Sequence, residues 1–181
     1  MSRETRIVAT PHGDFMLRPE RPEDDRLLFD LFAFNNIGIL QRACLPTEMI
    51  EKIINFQYRS QTATYRGLFP DAIFSIVSWG GKDVGRFIEH DETDVVYFVD
   101  FVLFPEFQAK GLGAALTRAL MDEWAARGRG TRVKIMVTNE PSLKMCRKLG
   151  FRQEEESGAS AYVEMRWYPP HLAPQRPTPT E

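Results

Sequence analysis

The chain has 181 residues, 43% of them apolar, which suits one folded domain with a single core and argues against disorder. Its 23 basic and 25 acidic side chains nearly cancel, to a formal charge of -2, so no electrostatic case exists for a nucleic-acid or polybasic membrane partner. Two cysteines (Cys44, Cys146) and three histidines (His12, His90, His171) lack the paired spacing of zinc ligands, so no metal site is expected.

The N-terminal stretch from Met1 to Gly13 is polar, lacks the apolar core of a signal peptide, and reads as an extension before the domain. Phe15 to Leu17 reads as a short strand that Arg18-Pro19 ends. Pro22-Glu23-Asp24-Asp25 then opens a helix with proline and acids in its first turn, and Leu27, Leu28, Leu31 and Phe32 recur at helical spacing. Pro46-Thr47-Glu48 begins a second helix running to Tyr65, with Met49, Ile50, Ile53, Ile54 and Phe56 as its apolar face.

The period then shortens. Ala72 to Trp79 and Val84 to Glu89 read as strands joined by the Gly80-Gly81-Lys82-Asp83 turn. Val95 to Leu103 is apolar on both alternating faces, as in a covered central strand, apart from Asp100. The longest apolar stretch, Val95 to Phe104, falls far short of the roughly 20 residues of a membrane helix, so no membrane partner is expected. Reduced thiols and a cytoplasmic location follow by elimination.

After a loop at Phe104 to Phe107, a helix is expected from Leu112 to Arg127, with Leu112, Leu116, Leu120 and Trp124 on one stripe and Gly128 and Gly130 ending it. Val133, Ile135 and Val137 alternate as a strand. Pro141 to Leu149 reads as a helix capped by Gly150. Phe151 to Glu155 and Ala161 to Trp167 read as closing strands joined through Ser157-Gly158. Pro169 to Glu181 holds five prolines and reads as a tail. The order predicts an α/β (α+β) domain over residues 14–168, built on one sheet, with no repeat and no second-domain boundary.

The segment Gln108-Ala109-Lys110-Gly111-Leu112-Gly113 lies between the most apolar strand and an amphipathic helix. The first amides of a helix have no intrahelical partner, and the helix dipole adds positive potential there. Two glycines remove side chains that would hold an anion away, and Lys110 adds a charge, so the segment suits a pyrophosphate. Alternatively, the glycines only make a tight strand-to-helix turn. The segment is no nucleotide P-loop, because no Gly-Lys-Ser/Thr follows, and no dinucleotide fingerprint, because its third glycine is missing.

In these residues the sequence resembles the GNAT superfamily of N-acetyltransferases. That family has Arg/Gln-x-x-Gly-x-Gly/Ala after a strand, which Gln108, Gly111 and Gly113 match. It also has Asn-x-x-Ala-x-x-x-Tyr-x-x-Leu-Gly-Phe after the next strand, matched by Asn139, Leu149, Gly150 and Phe151, with Ser142 in the alanine place. The resemblance covers roughly Phe15 to Tyr168 and is strongest from Val95 to Phe151. It implies a mixed, mostly antiparallel sheet flanked by helices and acetyl-coenzyme A as cosubstrate. The amides of Gln108, Ala109, Lys110, Gly111, Leu112 and Gly113 would hold the pyrophosphate. Phe101, Val102 and Leu103 would pair their backbone with the pantetheine arm, one of their amides would face the thioester oxygen, and Asn139 would sit near the arm.

The sequence departs from that pattern at Cys146, which stands where the family often has a tyrosine that protonates the departing thiolate. A thiol has a reference pKa near 8.5 against about 10 for tyrosine, so acidity admits the role, while shorter reach and weaker hydrogen bonds favour packing. Tyr162 or water is the alternative donor. Asp100 interrupts an apolar strand, which marks either a proton acceptor for an incoming amine or a structural acid bound to an amide or arginine. Glu89, Asp91 and Asp94 are weaker candidates at strand ends.

The first two helices and Gln57 to Pro70 would border the acceptor, and core packing accounts for most of their aromatics: Phe34, Phe56, Tyr58, Tyr65 and Phe69. The expected activity is direct acetyl transfer to an unidentified primary amine, with a homodimer left open. The alternatives are a non-catalytic acyl-CoA sensor and a nucleotide-binding protein.

Overall fold

The computed structural model describes residues 4–42, 45–154 and 160–172. Cys44, the Ser157-Gly158 turn and the tail from residue 173 lie outside them. Among the described residues, eight strands and four α-helices follow in the order β1 (Arg6–Val8), β2 (Phe15–Pro19), α1 (Asp25–Gln41), α2 (Thr47–Leu68), β3 (Ile73–Trp79), β4 (Lys82–Asp91), β5 (Val95–Leu103), α3 (Leu112–Ala126), β6 (Gly130–Met136), α4 (Glu140–Lys148), β7 (Arg152–Gln153) and β8 (Tyr162–Trp167). Hydrogen bonding orders the strands β1-β2-β3-β4-β5-β6-β8-β7 in one mixed sheet, as expected. The chain packs as two compact units, Met1–His90 with Val99–Leu116, and Asp91–Phe98 with Thr117–Glu181.

In the first unit, β1 pairs antiparallel with β2, β2 with β3, and β3 with β4. Strand β1 lies within the stretch expected as a mere extension; Val8 alternates inward there and is buried beside β2, whose Phe15 and Leu17 are buried too. Helices α1 and α2 contribute Leu28 and Tyr58 to a cluster with Ile76 of β3. Ile50, Ile54 and Tyr58 recur four apart and form the buried stripe of α2. Phe56, expected on that stripe, is 74% exposed because two residues on from Ile54 is slightly more than half a helical turn, which places it on the opposite face. Tyr58 packs edge-on to Phe29 and donates its hydroxyl to Asp25 Oδ1 at 2.7 Å. Arg18 bridges Asp24, before α1, and Asp83, at the start of β4, and holds the Asp24 carboxyl below the usual carboxylate range.

In the second unit, Val95–Phe98 of β5 pairs parallel with β6, and β6 pairs antiparallel with β8, which carries β7 on its other side. Leu120, Met121 and Trp124 of α3 are almost wholly buried. Gly130 leaves room for Tyr168, since a side chain's first carbon there would stand 2.7 Å from that ring. Arg132 lies 3.7 Å over the Tyr97 ring and pairs with Glu92. Among the described residues no helix is long and apolar enough to cross a membrane.

Candidate functional site

Within the first unit, β5 leads into a 3-10 turn at Pro105–Phe107 and then into the head of α3. The turn closes with Gln108 N–H donating to Pro105 O at 3.1 Å. The Gln108 amide, expected among the phosphate donors, is therefore already bonded. Two residues then adopt left-handed conformations, Ala109 (φ 56°) and Gly111 (φ 79°). For alanine this costs about 1–2 kcal/mol, and left-handed residues in such a turn are the backbone pattern of anion-binding nests. The first bond of α3 runs from Ala115 N–H to Gly111 O, at 2.9 Å. Among the described residues, the amides of Ala109, Lys110, Gly111, Leu112, Gly113 and Ala114 donate to no protein acceptor. Lys110 is exposed beside them, while Leu112 is buried and fastens the helix head.

Close contacts brace the stem of this loop. Gln108 Nε2 donates to Leu103 O and to Asn35 Oδ1, each at 2.7 Å, and Asn35 Nδ2 reaches Leu103 O at 3.2 Å. The carbonyl at the end of β5 is thus held by two side-chain amides, one of them from α1. Asn35 gave no signal in the sequence, since it reads as one polar residue of a helix. Gly85 of β4 faces the same stretch: a first side-chain carbon there would stand 2.2 Å from Val102 O, so only glycine fits. Phe101 packs edge-on to Phe87, with ring centroids 5.8 Å apart.

Asp100 accepts from Arg86 NH2 at 2.6 Å through Oδ2. The arginine side chain is 7% exposed and the aspartate 22%. Burial opposes the Arg86 charge most, but the attraction and hydrogen bond of Asp100 together with Tyr65 and Glu20 outweigh it, so the guanidinium holds its proton more tightly than usual. Arg86 also lies 5.7 Å from the Tyr65 ring and 3.3 Å from Gln61 Oε1, both on α2. Among the described residues, Arg86 Nε and Thr62 Oγ1 are buried without a hydrogen-bond partner, and Asp100 Oδ1 receives no protein donor. Arg86 was not singled out in the sequence, where it is one of several charged residues of its strand.

Two of the weaker candidates have their carboxylates engaged elsewhere. Glu89 is buried and pairs with Arg6 at 3.3 Å, and Asp91 pairs with Arg129 at 2.5 Å. Asp94 accepts the Gly130 amide through its backbone carbonyl at 3.1 Å. Of the α1–α2 aromatics, Tyr58 is buried, but Phe34 and Phe56 are largely exposed, so packing does not explain those two.

In the second unit, Asn139 is the cap of α4, its Oδ1 accepting from Ser142 N–H at 3.3 Å. Cys146 on α4 is a free thiol, 2% exposed, and burial pushes its pKa up to about 12. A group that holds its proton so tightly is a poor acid at neutral pH. Because the raised pKa belongs to the folded state, the stability it confers is intact below about pH 9 and is lost as pH rises from there toward about 12. In a Cys44→Ser chain, Cys146 is expected to react with a soluble disulfide reagent at pH 8 at least about 100-fold more slowly when native than when unfolded. Native reaction at the unfolded rate would refute its burial. Tyr162, at the start of β8, is 47% exposed.

The profile of a family described as FR47-like protein matches residues 90–159. No curated protein matches the sequence. Among solved structures, the chain is similar to the PaiA N-acetyltransferase of Thermoplasma acidophilum in complex with coenzyme A, at 18% identity and TM-score 0.60 over 85% of this chain and 98% of that one. It is similar to the microcin C7 self-immunity acetyltransferase MccE in complex with acetyl-CoA and AMP, at 17% identity and TM-score 0.59 over 89% and 98%. RimJ of Mycobacterium smegmatis, in complex with CoA-disulfide, matches at 14% identity and TM-score 0.59 over 94% and 89%. At these identities the likeness establishes the fold.

Proposed function

We propose that this chain is an acetyl-CoA-dependent N-acetyltransferase of the GNAT type, its transferase domain spanning residues 14–168, acting on a primary amine. The observation that carries the reading is the run of amides from Ala109 to Ala114, unpartnered at the head of α3. Those donors, with Lys110 and the absence of a side chain at Gly111, fit the diphosphate of coenzyme A. Structural neighbours solved with coenzyme A or acetyl-CoA support the same cosubstrate.

In this reading the backbone of Phe101, Val102 and Leu103 aligns the pantetheine arm, and an amide of that stretch stabilises the oxyanion that forms when the amine attacks the thioester carbonyl. Asn139 lies along the arm in the family pattern, here as the cap of α4. Asp100, steadied by Arg86 through one oxygen, offers the other to the incoming ammonium and accepts its proton, directly or through water. The carbon–sulfur bond breaks and the thiolate leaves, taking a proton from water rather than from Cys146, whose thiol binds its own too tightly. Holding donor and acceptor together supplies most of the rate.

The buried thiol in place of a general acid also favours a second reading, an acyl-CoA sensor without turnover. Release of free thiol from acetyl-CoA, monitored with a panel of small amines and peptide N-termini, separates the two. Amine-dependent release supports the transferase. Tight binding with no release on any amine supports the sensor, and stabilisation by ATP but not by coenzyme A would discard both.

A further inference from the structure

The turn between β1 and β2 delivers a histidine to the proposed phosphate loop. Thr10 shapes that turn: its hydroxyl accepts from His12 N–H at 3.1 Å and donates to Gly13 O at 2.7 Å, while Gly13 N–H closes on Thr10 O at 3.0 Å. Trp79 then pins it, donating its indole N–H to His12 O at 2.9 Å. The Trp79 ring packs against Phe15 of β2 and edge-on to Phe107, each with centroids 6.3 Å apart. Phe107 is the last residue of the 3-10 turn that carries the loop, so the histidine and the loop are braced by one tryptophan.

The His12 ring stands over Gly111. The first carbon of any side chain at Gly111 would lie 3.3 Å from His12 Nε2 and 3.6 Å from Cε1. His12 is exposed, and its ring makes no hydrogen bond to protein among the described residues. An imidazole carries at least one N–H donor in either protonation state, and phosphate oxygens only accept. We infer that His12 is a further coenzyme-A-binding residue, donating to a phosphate oxygen held at the Gly111 turn. The inference rests on the coenzyme A reading above and gives β1, which the sequence presents as an extension, a part in holding the donor.

The test is calorimetric titration of wild type, His12→Ala, His12→Gln and Gly111→Asp with coenzyme A and with pantetheine, which lacks phosphates. His12→Ala is expected to raise the Kd of coenzyme A about tenfold and leave that of pantetheine unchanged, because only a phosphate contact is lost. His12→Gln, which keeps an N–H donor, should recover part of the affinity. A His12→Ala Kd within twofold of wild type, while Gly111→Asp loses binding, overturns the role of His12 and leaves the loop assignment standing. Equal weakening toward coenzyme A and pantetheine also overturns it, since the residue would then serve only the turn's structure. A wild type that ignores coenzyme A removes the site and this inference together.

Discussion

Replacing Gly111 with aspartate is expected to raise the Kd for coenzyme A by at least about 100-fold while leaving a folded chain. Three effects add at this position. The backbone sits at φ 79°, where a side chain costs about 1–2 kcal/mol. The first added carbon meets His12 Nε2 at 3.3 Å, and the ring must give way. The new carboxylate stands among the unpartnered amides, competes for them, and repels the diphosphate. Two like charges 4 Å apart near a protein surface interact by about 4 kcal/mol, close to a factor of a thousand. Gly111→Ala carries the first two effects without the third, and about a tenfold loss is expected. Titration of both variants with coenzyme A, beside their melting curves, isolates the electrostatic part. An aspartate variant with wild-type affinity removes the loop from the site and the transferase reading with it.

The sequence marks those features whose cause is local. The loop is legible because Gly111 and Gly113 follow a strand that is apolar apart from Asp100, and the helices because their apolar residues recur at the right period. What it hides depends on which strands become neighbours. Arg86 and Asp100 are fourteen positions apart, the first one of several charges in its strand and the second the lone charge in its own; adjacency in the sheet makes them a pair at 2.6 Å. His12 and Gly111 are about a hundred positions apart, and nothing in either segment announces the other. Asn139 was read by family pattern as lying along the donor, and the structure adds a local duty, capping α4. Cys146 illustrates a different limit. Its chemistry turns on burial, and burial pushes the thiol away from the acid role that its ordinary pKa would allow.

Asp100→Asn is expected to lower kcat/KM by about 100-fold or more, with a loss of stability that a second variant can separate from catalysis. Asparagine keeps an oxygen for Arg86 but no charge, so a guanidinium only 7% exposed loses its counter-ion. Breaking such a pair costs about 3–5 kcal/mol when one partner goes, and the retained hydrogen bond places this variant at the lower end. In a chain of this length the melting point should fall by about 10 °C, measurable by calorimetry. Exchanging both partners, Arg86→Met with Asp100→Leu, leaves no buried charge and should restore much of that stability. If Asp100 takes the proton from the amine, the double variant stays as slow as Asp100→Asn, and its residual rate climbs with pH because only free amine from solution can react. If the double variant instead regains wild-type turnover, the carboxylate serves Arg86 and nothing more, and the proton acceptor is water.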